Sequence, residues 1–336
     1  MVIRVGALRG LNISPRDSVN YMALEKHGID AEMIGMFKEP VYDRTANRDE
    51  VFYCGTREIG EYTELDGDDY DIIDIVSLSN YLGSEAGAFL YDRVIPVIAE
   101  NRPPQNSDKI SKLIMQKYSH CICYTRDAYR HAELAGIQRK TQIYPSVNLD
   151  LFRPRDRPKD WDGLRVLFNA KPTWEKGFAV FVHALKCLPS IHGIVRANVP
   201  LEIKLPPNIE VIPERPYHEL PELYQDVDVF VHPANDCYIP YWEQWGNVIL
   251  EALSSGLYVV STTNGTIPEV LSGADARIIP QRRIQTGLVE TLSAIEKGAI
   301  DIGGARENNR ALAEERYNPE NNCARYADVV KLVMEG

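Results

Sequence analysis

Two glutamates, Glu243 and Glu251, stand eight positions apart in YWEQWGNVILEALSSG, residues 241–256. A glycine and an apolar run of helical period lie between them. Taken as helical from Asn247 at about 100° per residue, Val248, Ile249, Ala252 and Leu253 form one stripe. Asn247, Glu251, Ser254 and Ser255 fall on another face, which turns Glu251 away from the core toward something polar. Eight residues of helix rise about 12 Å. A hydrolytic carboxylate pair needs roughly 5–9.5 Å, and two ligands of one metal sit closer still. The spacing suits two hydroxyl-bearing groups separated by a pyrophosphate, as in a nucleotide sugar, because carboxylates accept hydrogen bonds from ribose and hexose hydroxyls. An ordinary amphipathic helix with two solvated acids fits it equally well. Gly246, at the helix start, lets a ligand approach the backbone, and free N–H groups at a helix N-terminus favour phosphate.

Two further segments carry chemistry. In FNAKPTWEKGF (168–178), Lys171 and Lys176 follow a strand and precede a helix. Such lysines neutralise a diphosphate leaving group, or they are simply solvated loop lysines. In VVSTTNGTIPEVL (259–271), a strand ends in a polar loop where Gly265 and Thr266 bring backbone N–H groups near phosphate. A plain strand–turn–helix explains that loop as well.

The elements that must hold these segments follow one rhythm. Short apolar runs alternate with amphipathic stretches: VIRVGAL (2–8), AEMIGMF (31–37), YDIIDIVSLS (70–79), RVIPVIAE (93–100) and HCICYT (120–125) read as strands. SVNYMALEKHG (18–28) reads as a helix closed by Gly28, and helices are expected over 108–119 and 126–135. Residues 143–163 break the rhythm with prolines and charges. It restarts with LRVLFNA (164–170), GFAVFVHALKCL (177–188), IEVIPE (209–214), LPELYQDVDVFVHP (220–233) and GLYVVSTT (256–263). This is the pattern of mostly parallel sheets with helices on both faces, in two α/β halves. The chain's 336 residues are too many for one ordinary core. In such folds ligands lie at the carboxyl ends of strands, and with two halves the expected site is the cleft between them.

Composition narrows the class. The net charge of −11 argues against general binding of nucleic acid or anionic lipid. One stretch departs from it: residues 109–140 carry Lys109, Lys112, Lys117, Arg126, Arg130, Arg139 and Lys140 against Asp127 and Glu133. A solvated helix surface is the favoured reading; a patch for an anionic acceptor or peripheral contact with a membrane is the sharper one. The six cysteines are scattered, as in neither a zinc site nor a disulfide framework. No run is apolar enough for a membrane helix and no signal peptide opens the chain, so a cytoplasmic protein is expected.

Together these segments resemble the retaining GT-B glycosyltransferases of family 4. KPTWEKGF is similar to the family's basic residue and EKG loop. VDVFVHPA followed by Glu243-QWGNVIL-Glu251 and EALSSG resembles its E-x7-E signature. VVSTTNGTIPEVL, TQIYPSVNLDLFRP and RYNPENNCARYADVVKLV match, in order, the strand and loop that follow, the interdomain segment and the C-terminal helix. The resemblance implies GT-B architecture: two Rossmann-like doubly wound domains facing across a cleft, the C-terminal helix returning to the first. It implies an N-terminal acceptor-side domain over 1–152, a linker over 153–163, a nucleotide-sugar domain over 164–315 and the returning helix over 316–336. Glu243, with N–H groups near Gly246 and Asn247, would hold the donor sugar; Glu251 the ribose; Lys171 and Lys176 the diphosphate. Arg215, in PERPYHEL (213–220), falls where the family lines its base pocket. The partners implied are a nucleotide-sugar donor and a carbohydrate or glycoconjugate acceptor. Retention of configuration is implied, with no cofactor or metal. Many members carry a histidine at the end of the strand read here as RVIPVIAENR; Glu100 and Asn101 are the nearest positions in this chain. The first loop, LRGLNISPRDS, has Arg9 and Gly10 in place of a Gly-Gly pair, to meet donor phosphate or acceptor or to form a turn. Three other readings stay open. One keeps the fold for a nucleotide-sugar epimerase, against which the full E-x7-E run speaks. Another is a non-catalytic nucleotide-sugar binder or assembly subunit. The last is a transferase acting on modified DNA bases, which the chain's acidity opposes.

Overall fold

The computed structural model describes residues 2–8, 13–36, 51–59, 64–66, 68–76, 93–98, 120–134, 136–156, 160–197, 204–237 and 241–336. Contacts divide the chain into two compact units. Unit 1 comprises Met1–Ser146 with Asn318–Gly336, and unit 2 is Val147–Tyr317.

Unit 1 carries strands β1 (Ile3–Leu8), β2 (Ile29–Met36), β3 (Gly55–Ile59), β4 (Ile72–Val76), β5 (Val94–Ile98), β6 (Cys121–Cys123) and β7 (Lys140–Gln142). They form one sheet in the order β3-β2-β1-β4-β5-β6-β7, every pair parallel. Parallel strands are covered on both faces, which is why Val5, Ala7, Ile72, Ile95 and Ile122 are all buried. The strand order reverses between β1 and β4. The loops after both strands, 9–12 and 77–92, lie outside the described residues, and Arg9 and Gly10 with them. Glu100 and Asn101 lie outside them too, as do Lys109, Lys112 and Lys117 of the basic stretch.

Three features of unit 1 differ from the sequence reading. The expected helix over 18–28 is a four-residue helix α1 (Pro15–Ser18) followed by two 3-10 turns, ending at Gly28 with φ 75°. Val19, Tyr21, Ala23 and Leu24 are all buried; on one straight α-helix they would spread over about 200°, wider than one buried face. Edge strands β3 and β7 are short and polar, GTREI and KTQ, and gave no apolar run to read. The segment 153–163 is less of a free linker than its prolines suggest. Phe152 is fully buried in unit 2, and Trp161 donates to Asp228 at 3.0 Å between the guanidinium groups of Arg155 and Arg165.

The helix following β6, α2 (Arg126–Leu134), lies where expected. The basic residues of this stretch are partly engaged: Arg130 of α2 lies 3.8 Å from Asp127, and Lys140 of β7 sits over the Tyr129 ring and 3.9 Å from Glu133.

Unit 2 carries β8 (Arg165–Phe168), β9 (His192–Arg196), β10 (Ile209–Ile212), β11 (Val229–His232), β12 (Tyr258–Thr262) and β13 (Ala276–Ile279). The order is β10-β9-β8-β11-β12-β13, again wholly parallel. The helices are α3 (Phe178–Cys187), α4 (Pro221–Gln225), α5 (Asn247–Ser254), α6 (Ile267–Val270), α7 (Ile284–Glu296) and α8 (Ala305–Arg316). Phe168, Phe181, Val195, Val229, Val231 and Leu288 lie in its core. Strand order reverses between β8 and β11, so the loops leaving their carboxyl ends diverge and open a crevice.

The last helix, α9 (Pro319–Glu335), belongs to unit 1. Asn318 caps it and Pro319 opens it. Its buried stripe of Cys323, Tyr326, Ala327, Val330 and Val333 completes the unit 1 core. Tyr326 and Tyr21 both donate to the fully buried carboxylate of Asp74, at 2.6 and 2.7 Å.

Candidate functional site at the strand-order reversal of unit 2

The loop after β8, the end of β11 and the segment after it bring three side chains onto one oxygen. Glu243 Oε2 accepts from Lys176 Nζ at 2.7 Å, His232 Nε2 at 2.8 Å and Tyr241 OH at 3.1 Å. Glu243 is 6% exposed and His232 1%. Burial alone would push the Glu243 carboxyl up. The hydrogen bond and charge of His232 and the charge and hydrogen bond of Lys176 outweigh it, and its pKa falls to about 2. The Tyr241 hydroxyl moves the other way, raised by burial and by the Glu243 charge. Lys176 lies over the Tyr241 ring, 4.8 Å from its centroid, and its ammonium also bonds the Tyr241 hydroxyl.

Local backbone geometry sets each of these groups. Gly177 has φ 78°, and a Cβ there would stand 1.9 Å from the Pro233 carbonyl oxygen. Glycine at this position lets the lysine loop close on the segment leaving β11. Asn235 fastens the same contact: its backbone N–H donates to Glu175 O at 2.9 Å and its side chain to Trp174 O at 3.1 Å. The Glu243 backbone is held from the other side. Its N–H donates to Asn264 Oδ1 at 2.7 Å, and its carbonyl accepts from the Thr266 N–H at 3.0 Å and the Thr266 hydroxyl at 3.2 Å.

Gly265 and Thr266, read in the sequence as phosphate contacts, also hold Glu243 in place. Gly265, at φ 53°, backs directly onto Glu243, where a Cβ would stand 2.1 Å from its carbonyl oxygen. The Thr266 N–H is spent on that carbonyl, so the loop grips Glu243. The helix behind it, α6, is only four residues long.

Gly246 adopts φ 71° at the N-cap of α5, and Asn247 is the first helical residue. Glu243 thus lies in the segment before the helix, and Glu251 about one turn inside it. The polar stripe of α5 is not turned to solvent: Glu251, Ser254 and Ser255 are all buried. Glu251 Oε2 accepts from the Tyr224 hydroxyl at 2.5 Å, which itself accepts from Asn169 Nδ2 at 2.8 Å. Asn169 Oδ1 accepts from Arg196 Nε at 2.7 Å, and Arg196 pairs with Glu214 at 2.6 Å. A polar chain thus runs under the carboxyl ends of β8 and β9. Ser254 is covered by Phe152 and Arg310, its hydroxyl bonding Phe152 O. Lys171 lies exposed in the loop, five residues before Lys176, and Arg215 pairs with Glu222 at 2.8 Å.

His232, Tyr241, Tyr224, Asn169 and Asn264 were not anticipated. A signal for His232 was present: it ends the strand VFVH, where a lone polar residue follows an apolar run. Tyr241 stands two residues before Glu243 in the same segment.

Residues 200–314 match the family model described as Glycosyl transferases group 1. The chain carries a glycosyltransferase group 1 domain. That domain contains Glu243, Gly246, Asn247, Glu251 and His232, while Lys171 and Lys176 lie just ahead of it. The chain is similar to the phosphatidylinositol N-acetylglucosaminyltransferase gpi3 subunit of Schizosaccharomyces pombe, 21% identical over 211 residues; the match takes in 58% of this chain and 44% of that relative. It therefore spans less than half the length of that relative. Among solved structures, HepE of Anabaena, in complex with UDP and glucose, superposes with a TM-score of 0.73 at 15% identity, over 98% of this chain and 99% of that one. Sucrose-phosphate synthase of Thermosynechococcus elongatus gives 0.73 at 14%, over 99% of each chain. A glycosyltransferase of Rickettsia africae gives 0.75 at 13%, over 100% and 99%. With the two parallel sheets, these place the group 1 domain in a chain of GT-B fold.

No group of three His, Cys, Asp or Glu that could hold a metal occurs among the described residues. No helix among them is long and apolar enough to cross a membrane.

Proposed function

We propose that the chain is a retaining glycosyltransferase that moves a hexose-type sugar from a nucleotide-diphosphate donor to an acceptor hydroxyl, without a metal ion. The observation that carries this reading is the cluster of Lys176, His232 and Tyr241 on Glu243 at the strand-order reversal of unit 2. An open parallel sheet takes its ligand at that place. The cluster sets a cation and an ionised carboxylate side by side.

In this reading the N–H groups opening α5 and the Lys176 ammonium meet the diphosphate, and offset the charge it gains as the glycosidic bond breaks. Lysine suits the task because it is a compact charge on a flexible stem. Lys171 supplies a second cation. Glu243, ionised at neutral pH, accepts from donor-sugar hydroxyls. Glu251, with Tyr224, serves the ribose. Arg215 stands beside the base, and Asn101 and Glu100 serve the acceptor side. The fold relatives support a nucleotide-sugar donor: HepE was solved with UDP and glucose and with UDP-glucose. The Schizosaccharomyces relative's name pairs N-acetylglucosaminyl transfer with phosphatidylinositol, which supports a glycoconjugate acceptor and peripheral work at a membrane surface.

The test is a thermal-shift panel of UDP-, GDP-, ADP- and TDP-sugars without added metal, repeated with EDTA. A selective rise in melting temperature for one nucleotide supports the donor site and names the base. Proton NMR of the product's anomeric centre then reads retention directly. No shift with any donor, or a shift abolished by EDTA, overturns the reading.

A further inference from the structure

His232 is the most confined member of the cluster, and the donor chemistry above gives it no task. It ends β11, where its carbonyl accepts from the Ser261 hydroxyl of β12 at 2.6 Å. In the sheet register His232 stands opposite Ser261. Its ring lies parallel to that of Phe230, two residues back on the same face, at 6.2 Å and 8°. Sheet and ring together leave the imidazole one orientation. An ionised carboxylate only accepts, so the hydrogen on the Glu243 side must sit on Nε2. The other nitrogen, Nδ1, is buried without a hydrogen-bond partner.

Lys176 has two claims on it. It bonds Glu243 in the free protein, and in the donor-site reading it must also meet the diphosphate. We propose that His232 is the positioning residue for Glu243: its Nε2–H keeps the carboxylate in place when Lys176 turns to the donor. This rests on the donor-site reading above. Lys176 is flexible and partly exposed, whereas His232 is built into the sheet. The second donor that stays with the carboxylate, Tyr241, lies in the same segment as Glu243 and moves with it. His232 is thus the fixed point.

The charged and titratable groups facing the carboxylate are Lys176 from the loop after β8, His232 from β11 and Tyr241 from its own segment; Glu175 acts on Tyr241. Removing His232 leaves Lys176 and Tyr241 as the partners of that oxygen and withdraws a fixed donor. The Glu243 carboxyl then titrates higher, and the acid limb of the pH profile moves up with it.

The test compares His232→Leu with His232→Gln, whose side-chain amide restores a donor near the place of Nε2. Sugar transfer from the donor that the thermal-shift panel selects is followed by KM and kcat. His232→Leu is expected to lower kcat/KM by about ten- to a hundredfold, the range for a hydrogen bond to a charged group. Its acid limb shifts upward, while melting temperature changes little. His232→Gln is expected to recover most of the rate and the wild-type acid limb. Equal kinetics and acid limb in His232→Leu and wild type overturn the proposal. So does a His232→Gln as impaired as His232→Leu, which would make ring shape the cause. A 13C NMR titration of the Glu243 carboxyl in the free protein reads the same contact without any donor. If that titration moves in His232→Leu while the wild type transfers no sugar, the positioning role stands and the transferase reading falls. If it does not move, the positioning role falls.

Discussion

At Glu243 the balance of burial against partners decides the chemistry. A carboxylate this buried is costly unless it is paired, and His232 and Lys176 on one oxygen hold its pKa at about 2 against an ordinary 4.5. The folded value is depressed, so the stabilisation is full above pH 4.5 and is lost as pH falls through about 2. That shift corresponds to on the order of 3 kcal/mol. Acid unfolding of wild type and Glu243→Gln followed by circular dichroism is expected to show a stability difference that shrinks across this window. A difference independent of pH would contradict the pairing. Lys176→Ala is expected to weaken donor binding at least tenfold by calorimetry with the fold retained, because in the proposed reading Nζ serves both Glu243 and the diphosphate. Glu243 and Lys176 were both legible from residue type and from place in the loops. His232 was not, since a histidine ending an apolar strand reads as core until its ring is seen against a carboxylate. Glu251 was expected to meet solvent or ligand from a polar helical stripe. Periodicity marks a stripe but not what covers it: Tyr224 meets Glu251, and Phe152 and Arg310 meet Ser254.

The elements that were hard to see in the sequence are the short ones at sheet edges. β3, β7 and β13 stand at edges, and there half the strand faces no neighbour and needs no apolar run. β9 is interior but carries HGIVR, broken by histidine, glycine and arginine. The central strands β1, β4, β8, β11 and β12 read clearly, because burial on both faces demands continuous apolar sequence. The loops between elements are fastened by single polar side chains. Asn309, fully buried on α8, donates to Leu257 O at 2.7 Å and Asp275 O at 3.0 Å and accepts from the Asp275 N–H at 2.7 Å. Asn309→Ala leaves three buried backbone groups without that partner. It is expected to lower stability by at least ~2 kcal/mol, measured by urea unfolding. Gly177→Ala sets a Cβ against the Pro233 carbonyl and is expected to lose the lysine loop geometry. The readout is loss of donor affinity together with a lower melting temperature, and full affinity in that variant would refute the backbone argument.

Across the whole molecule, two wholly parallel sheets account for the GT-B fold, and the alternation of apolar runs and helices announced them. The division between units was less legible: it falls at Ser146 and Tyr317, because Phe152 is buried on the unit 2 side of a segment whose prolines suggest free chain. Unit 1 is built from two separated stretches, and α9 fills part of its core. Val330→Asp, on the buried stripe of α9, is expected to destabilise unit 1 by several kcal/mol. Unit 2 should resist proteolysis in that variant, and mass mapping of the surviving fragment would check it. The same arrangement has a consequence for the order of events in the cell. Residues 318–336 are synthesised 171 residues after Ser146, a delay of roughly 10–30 s at ~5–20 residues per second. Throughout that interval the first sheet waits with the floor that α9 will cover still open. The unit that begins first must be the one that finishes last, and nascent-chain chaperones would meet its apolar face while the inserted unit is still being made.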